Sequence, residues 1–196
     1  GVITAPDKPA GRGRKLRPSA VKEYALSKNL TVLQPTNLKN DFFLEELRDL
    51  NANLQVIVAF RMLPKVVWEM PKFFTYNFHA SILTQYRGDS PINWAIINRE
   101  VKTGVTTFFI NEKIDTGEII AKSEIAIEAN ETVGTLHDKL RLCGTDLVLD
   151  SFQQFEEGKA KTIRLTNHLE LKEAPNFNPD NSKISWSQSA EQINAF

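Results

Sequence analysis

The sequence predicts an α/β fold with a mainly parallel sheet and helices on both of its faces. Short apolar stretches of strand length alternate along the chain with stretches in which apolar residues recur at helical spacing. In addition, residues 54–60 (LQVIVAF) are apolar without alternation, as expected of a strand whose two faces are both covered. A chain of 196 residues can bury the core of one such domain.

The predicted strands are short and largely apolar. They cover residues 2–5, 31–33, 54–60, 73–78, 104–110 and 118–127. The sequence NEKIDTG joins the last two, so we expect a turn between them.

The predicted helices begin at recognisable start signals. Pro18-Ser19-Ala20 opens the first helix, Asn40 with Asp41 caps the second, and Pro91 starts a later one. Apolar residues at helical spacing then extend each helix. The predicted ranges are 20–29, 41–50, 63–70, 91–100 and 132–157.

The composition excludes several classes of protein. No apolar run approaches the roughly 20 residues needed to span a membrane, and the N-terminus does not resemble a signal peptide. The single cysteine, Cys143, indicates a reducing compartment, so we expect a cytoplasmic location. No metal is expected, because the CxxC, HExxH and clustered His/Cys patterns are absent. No GxGxxG follows a strand, and GRGRK lacks the ending of a P-loop.

A strongly basic segment occupies residues 6–22 (PDKPAGRGRKLRPSAVK). Six basic side chains oppose the single carboxylate of Asp7, although the net charge of the whole chain is zero. Its glycines and prolines predict a loop. A solvated surface loop is one interpretation, but the density of arginine favours contact with a polyanion such as a nucleic acid.

Asn77, His79 and Asp115 form a candidate catalytic set. Residues 77 and 79 would share one face at the end of a strand, where ligands of parallel sheets bind, and Asp115 lies in the later turn. Histidine can exchange a proton near neutral pH, and an asparagine amide can donate to a developing oxyanion. An aspartate can orient the imidazole. These residues suit acyl-type transfer, although spacing alone leaves a structural histidine and an ordinary DTG turn open.

The segment YNFHASILTQYRGDSPINWAIINREVKTGVTTFFINEKIDTGEII resembles the formyltransferases that use 10-formyltetrahydrofolate. The shared pattern is Asn-x-His, a Ser-Leu-Leu-Pro-like segment, Arg-Gly, and Asp-x-Gly 36 residues after the histidine. The basic segment and KISWSQSAEQINAF are similar to the branch of this family that formylates initiator methionyl-tRNA. The resemblance implies the Rossmann-like formyltransferase fold.

The resemblance also implies roles for individual residues. Asn77, His79 and Asp115 would be catalytic, with Asn77 and His79 holding the oxyanion while His79 and Asp115 manage protons. Two further sets would bind the substrates. They are Ser81, Ile82, Leu83 and Thr84 for the folate, and Arg12, Arg14, Lys15 and Arg17 for the tRNA. The donor would be 10-formyltetrahydrofolate, and the acceptor would be the α-amine of methionyl-initiator tRNA, in support of translation initiation.

The chain departs from the family pattern in several places. Thr84 replaces a proline, which removes a fixed φ from the loop, and Gln85 replaces a basic residue. The family begins with one further strand–helix unit and ends in a further domain. We therefore expect residues 1–171 to be an N-terminally incomplete catalytic domain and residues 172–196 to be a linker toward an absent C-terminal domain.

The sequence is also compatible with two other functions. One is a formyltransferase that acts on an amino-sugar nucleotide or on glycinamide ribonucleotide, although a small substrate requires no polycationic segment. The other is an inactive, RNA-binding relative. We expect a monomer that does not bind membranes.

Overall fold

The computed structural model describes residues 1–10, 15–83, 85–112, 116–159, 161–163 and 171–196. The chain forms two compact units. The first comprises residues 1–55 and 60–75, and the second comprises residues 56–59 and 76–196.

The first unit contains short strands and three helices. In chain order these are β1 (Val2–Ile3), β2 (Lys8–Ala10), β3 (Lys15–Arg17), α1 (Ala20–Ser27), β4 (Val32–Leu33), α2 (Asp41–Asp49) and α3 (Lys65–Trp68). Strands β1 and β4 pair in parallel, and β2 pairs with β3 in antiparallel fashion. The predicted cap at Asn40 is confirmed, because its side chain accepts a hydrogen bond from the backbone N–H of Phe43. Ser19 caps α1 in the same way by accepting from the backbone N–H of Lys22.

Apolar side chains of α2, β4 and α3 form the core of the first unit. The buried members are Leu33, Phe43, Leu44, Leu47 and Val67, together with Leu38 from the connection between β4 and α2. The helix α2 contributes three of them from a single face, as its apolar spacing predicts. Burial of this face fixes the helix against the β1–β4 pair.

The prediction of a loop for residues 6–22 is wrong for the six residues of β2 and β3. Lys8 pairs with Arg17, Pro9 with Leu16, and Ala10 with Lys15. Pro9 lacks an N–H group, but a two-stranded ribbon has edges on which a missing donor is tolerated. The basic segment is therefore built on an extended antiparallel ribbon.

A four-stranded sheet and three further helices complete the fold. The sheet has the order β5 (Leu54–Val58), β6 (Phe74–His79), β7 (Lys102–Phe109) and β8 (Ile119–Ala126). The helices are α4 (Pro91–Ile97), α5 (Val133–Glu156) and α6 (Ala190–Ala195). The helix α6 lies in a polar region where the sequence predicted none.

The α/β class is confirmed, and the sheets are mixed in direction. Strands β6–β7 and β7–β8 pair in antiparallel fashion, whereas β1–β4 is parallel. The predicted parallel arrangement thus does not extend to β6–β8. Strands β7 and β8 are antiparallel because they are joined by a short connection, whereas parallel neighbours need a longer crossover.

The long helix α5 covers strands β7 and β8 in the second unit. Its side chains Leu136, Leu140 and Leu147 form a buried cluster with Val105 of β7. Thr132 caps this helix in a reciprocal capping box with Thr135. This packing gives β6 and β7 a rigid support, and β6 carries the candidate site.

Candidate active site

Strand β6 carries both Asn77 and His79. The two residues alternate with Phe78, so their side chains lie on the same face of the strand, as the sequence predicts. Asn77 is opposite Phe108 of β7, and His79 is opposite Thr106. Because β6 lies between β5 and β7 in the sheet, its backbone hydrogen bonds hold the two side chains at a fixed spacing.

His79 is almost completely buried, with 8% of its surface exposed. Its Nε2 atom lies 2.9 Å from the carbonyl oxygen of Tyr86. A carbonyl only accepts hydrogen bonds, so Nε2 carries a proton that it donates. In the neutral ring, Nδ1 is then the nitrogen that accepts a hydrogen bond or a proton. His79 therefore enters the site as an oriented imidazole with a defined tautomer.

Two buried polar atoms near this part of the chain are unsatisfied. Within the part of the chain that the structure describes, the Oδ1 atom of Asn77 and the Nε atom of Arg87 are buried and make no hydrogen bond. A buried polar atom without a partner costs about 1–3 kcal/mol, so such atoms are candidates for contact with a ligand. An amide can present either an acceptor or, after turning over, a donor.

The segment after β6 is a tightly bonded loop. The hydroxyl of Ser81, which is fully buried, donates to the Gln85 carbonyl at 2.7 Å. Thr106 of β7 donates to the Ser81 carbonyl at 2.7 Å and accepts from the Leu83 backbone N–H at 3.2 Å. Leu83 itself packs on Phe108 and Ile119. The loop thus presents its backbone in a defined shape.

The side chain and the backbone of Gln85 also stabilise this loop. Its side-chain oxygen accepts a hydrogen bond from the Lys172 backbone N–H at 2.9 Å, and its own N–H donates to the Ile82 carbonyl at 3.0 Å. A basic side chain has no acceptor atom, so it could not accept the hydrogen bond from the Lys172 backbone N–H. The glutamine at position 85 therefore joins the loop to residue 172.

Several predicted site residues lie outside the described residues. They are Asp115, Thr84, Arg12 and Arg14.

Lys15 and Arg17, the other two predicted basic residues, lie on β3. All three residues of this strand are exposed, and Lys8 of β2 pairs with Arg17. Alternation along a strand places residues 15 and 17 on one face of the ribbon. The ribbon therefore presents positive charge to solvent.

Thr106 and Tyr86 are functional candidates that sequence reasoning missed. Thr106 is fully buried, and Tyr86 provides the carbonyl that contacts His79. Threonine is common in strands and Tyr86 lies in an unpatterned loop, so neither position carries a signal in a single sequence. Among the described residues, no group of His, Cys, Asp or Glu could hold a metal ion. No helix in the described ranges is long and apolar enough to cross a membrane.

The fold and the Asn-x-His pair define a class of protein. A family profile described as "Formyl transferase" matches residues 1–150. The chain belongs to the formyl transferase family, as its motifs indicate. In fold it is similar to WlaRD, described as a sugar 3N-formyl transferase and crystallised with dTDP and 5-N-formyl-THF. The TM-score is 0.67 at 22% identity, over 89% of this chain and 60% of that one. At this identity the likeness concerns the fold alone.

Two curated relatives are more similar in sequence, and both are named methionyl-tRNA formyltransferase. The protein from Flavobacterium johnsoniae is 60% identical over 194 residues, which are 99% of this chain and 62% of the relative. The protein from Flavobacterium psychrophilum is 55% identical over 193 residues, which are 98% of this chain and 61% of the relative. The chain thus spans less than two thirds of the length of these relatives.

Proposed function

We propose that the protein transfers a formyl group from 10-formyltetrahydrofolate to the α-amine of methionyl-initiator tRNA. The observation that carries the proposal is the oriented pair of Asn77 and His79 in a chain that is 60% identical to a methionyl-tRNA formyltransferase. The reaction supplies the formylated initiator that begins translation. Its expected location is the cytoplasm.

The reaction begins when the amine nitrogen attacks the formyl carbon. A carbon–nitrogen bond forms and the formyl oxygen becomes an oxyanion. Collapse of this intermediate breaks the bond between the formyl carbon and N10 of the folate. The amine loses one proton and N10 gains one, so the overall transfer needs no oxidant and no metal.

Asn77 and His79 are the proposed partners of the oxyanion. The unsatisfied atom of Asn77 is Oδ1, an acceptor that a ligand N–H would satisfy, whereas the oxyanion would accept a hydrogen bond from the Nδ2 end of the same amide. Loss of one donor to an oxyanion raises a barrier by roughly 3 kcal/mol. The Nε2 atom of His79 donates to the Tyr86 carbonyl, so Nδ1 is its basic nitrogen. Once Nδ1 has taken the proton of the amine it can donate a hydrogen bond to the oxyanion, and Asp115 is the proposed partner that assists this proton transfer.

The loop of Ser81, Ile82, Leu83 and Thr84 is the proposed folate contact. The Ser81 hydroxyl is already bonded to Gln85 and Leu83 is packed in a core cluster. Contact by these two residues would therefore come from backbone groups. The unsatisfied Nε atom of Arg87, three residues beyond Thr84, fits an acceptor such as a carboxylate.

The ribbon of β2 and β3 is the proposed tRNA contact. Its exposed Lys15 and Arg17, together with Arg12 and Arg14 in the connection between the strands, supply four positive charges. Arginine and lysine on an extended ribbon bind phosphates of an RNA backbone through charge and hydrogen bonds. A formyl acceptor of small size would gain nothing from this charge.

Substitution of the catalytic candidates tests the proposal directly. His79→Ala and Asp115→Ala are expected to lower formylation of methionyl-tRNA by roughly a hundredfold or more, because each removes a proton-transfer group. His137→Ala, at an exposed position, is the control and should retain activity. Retained formylation in both site variants would overturn the mechanism.

Substitution of the basic ribbon tests the acceptor. Alanine at Arg12, Arg14, Lys15 and Arg17 should raise the KM for methionyl-tRNA and flatten its dependence on salt, because fewer counterions are released on binding. The KM for the folate should not change. Alanine at four exposed basic residues outside the ribbon, Lys65, Arg141, Lys159 and Lys183, removes the same number of positive charges as a control. Unchanged tRNA kinetics in the ribbon variant would instead favour a small acceptor.

A further inference from the structure

Tyr86 is an unusual residue in the loop that follows β6. It is 5% exposed and has a φ of 57°, although it is neither glycine nor asparagine. A left-handed conformation costs an ordinary residue about 1–2 kcal/mol. Such a conformation persists only where surrounding contacts enforce it, and it is concentrated at functional sites.

The backbone of Tyr86 is bonded on both sides. Its carbonyl accepts the hydrogen bond from His79 Nε2, and its N–H donates to the Lys172 carbonyl at 2.7 Å. The next residue, Arg87, accepts from the Ala174 N–H at 2.8 Å. A segment nearly ninety residues further along the chain thus holds the peptide that contacts His79.

The side chain of Tyr86 is fixed by a second set of contacts. Its hydroxyl donates to the Glu100 carboxylate and accepts from Asn98 Nδ2 at 3.0 Å. Lys172 forms an ion pair with the same carboxylate, and its Nζ lies 5.9 Å from the centre of the Tyr86 ring. Asn98 and Glu100 immediately follow α4, so a helix end anchors the hydroxyl.

The ionisation of this cluster agrees with its geometry. Burial raises the pKa of Tyr86, and the hydrogen bond to Glu100 raises it further, so the hydroxyl stays a donor. Burial alone would raise the pKa of Glu100, but hydrogen bonds from Lys172 and Tyr86 outweigh it and lower the pKa overall. The hydrogen bond to Glu100 raises the pKa of Lys172. Glu100 and Lys172 are therefore both charged around neutral pH.

We propose that Tyr86, Glu100 and Lys172 form a tether that positions His79 for formyl transfer. The tether holds the Tyr86 carbonyl against Nε2 and so selects the tautomer in which Nδ1 is the basic nitrogen. The catalytic part of this assignment rests on the proposed function, whereas the effect on the imidazole does not. Tyr86, Glu100 and Lys172 are positioning residues, because their proposed effect on the reaction passes through the Tyr86 carbonyl to His79.

Removal of the Tyr86 hydroxyl tests the tether. In Tyr86→Phe, the neutral imidazole of His79 should become a mixture of tautomers, measured by its two ¹⁵N chemical shifts in NMR. Because the imidazole of His79 would then be misplaced for part of the time, we expect kcat to fall by roughly tenfold to a hundredfold. The KM for folate and the KM for tRNA should stay unchanged. The chain has only three histidines, and His79→Gln assigns the signal.

Matched variants separate positioning from a general loss of structure. Tyr76→Phe removes the hydroxyl of another buried tyrosine, which contacts Val148 at 3.4 Å, and should leave the His79 signals and kcat unchanged. Lys172→Met should reproduce the effect of Tyr86→Phe, and Lys172→Arg should restore the wild-type signals. Should Tyr86→Phe fail to fold, the half-exposed Lys172 provides the same measurement.

The outcomes distinguish the tether from the proposed function. Unchanged ¹⁵N shifts in Tyr86→Phe and Lys172→Met would overturn the tether, and so would an altered tautomer with an unchanged kcat, because His79 would then not be positioned for catalysis by it. Absence of methionyl-tRNA formylation by the wild-type protein would overturn the proposed function alone, because the ¹⁵N shifts still report whether the tether orients the ring; full formylation by His79→Ala would overturn only the catalytic role of His79.

Discussion

Gly88 lies where two distant backbone segments approach each other closely. Its φ is 125°, and an added Cβ would lie 2.5 Å from the carbonyl oxygen of Ala174. The same carbonyl accepts a hydrogen bond from the Ser90 N–H at 3.1 Å. The residue therefore allows residues 172–174 to pack on the loop that carries Tyr86.

Gly88→Ala is expected to lower the free energy of unfolding by about 2–3 kcal/mol, since it combines backbone strain with a contact to a carbonyl oxygen that cannot move freely. Gly158→Ala is the matched control, because Gly158 also has a positive φ, of 65°, but no atom lies within 4 Å of its added Cβ. Its cost should be about 1 kcal/mol. Urea unfolding of both variants measures the difference, and equal losses would show that the contact with Ala174 contributes nothing.

At the scale of one element, α5 contains two glycines in very different surroundings. An added Cβ at Gly144 would overlap the ring of Phe78, which lies on β6 between Asn77 and His79. At Gly134 the nearest atom is Thr132 Oγ1 at 3.9 Å. The helix therefore approaches the site strand at Gly144, and a larger residue there would displace Phe78.

The two alanine variants of α5 should change stability in opposite directions. Gly134→Ala should raise the free energy of unfolding by about 0.5 kcal/mol, because alanine favours the helix more than glycine does. Gly144→Ala should lower it by about 1–3 kcal/mol through overpacking, and should also lower kcat because β6 shifts. Thermal and urea unfolding, together with a formylation assay, measure both effects. A stabilised Gly144→Ala would show that α5 does not restrain β6.

The elements that the sequence predicts best are those with a local signal. The start of α1 near Ser19, the cap at Asn40 and the apolar face of α2 are determined by neighbouring residues, and the structure confirms them. The ribbon of β2 and β3 was missed because backbone pairing of a Pro- and Gly-rich segment has no side-chain periodicity. The direction of β6 relative to β7 depends on pairing between residues that are far apart in the chain, which one sequence does not encode locally.

The candidate site divides in the same way. Asn77 and His79 could be predicted, since they share a strand face and carry recognisable chemistry. The Tyr86 contact could not, because it depends on a backbone carbonyl, and Glu100 and Lys172 are 14 and 86 residues away from Tyr86. A sequence shows which residues have side chains suited to catalysis. It does not show which backbone carbonyl or distant ion pair positions those side chains.

At the scale of the whole molecule, carboxylates with lowered pKa values link stability to acid. Hydrogen bonds and ion pairs lower the pKa of six side chains below the ordinary value, namely Asp7, Glu100, Glu124, Glu131, Glu157 and Glu191. In each case the unfolded state binds a proton at a higher pH than the folded state does. This stabilisation is therefore complete above the ordinary pKa, which is 4.5 for glutamate, and is lost as the pH falls below it.

Glu100 gives this linkage a specific test, because it is the one of these six carboxylates that belongs to the tether. Glu100→Gln should be less stable than the wild type at neutral pH, since it removes the ion pair with Lys172. The difference should shrink as the pH falls below 4.5, where the wild-type carboxylate also becomes neutral. Asp150→Asn is the control, an exposed position on α5 for which the described part of the chain provides no ion pair. Urea unfolding at several pH values gives both curves, and a difference that persisted undiminished in acid would mean that Glu100 stabilises the fold through its shape and not through its charge.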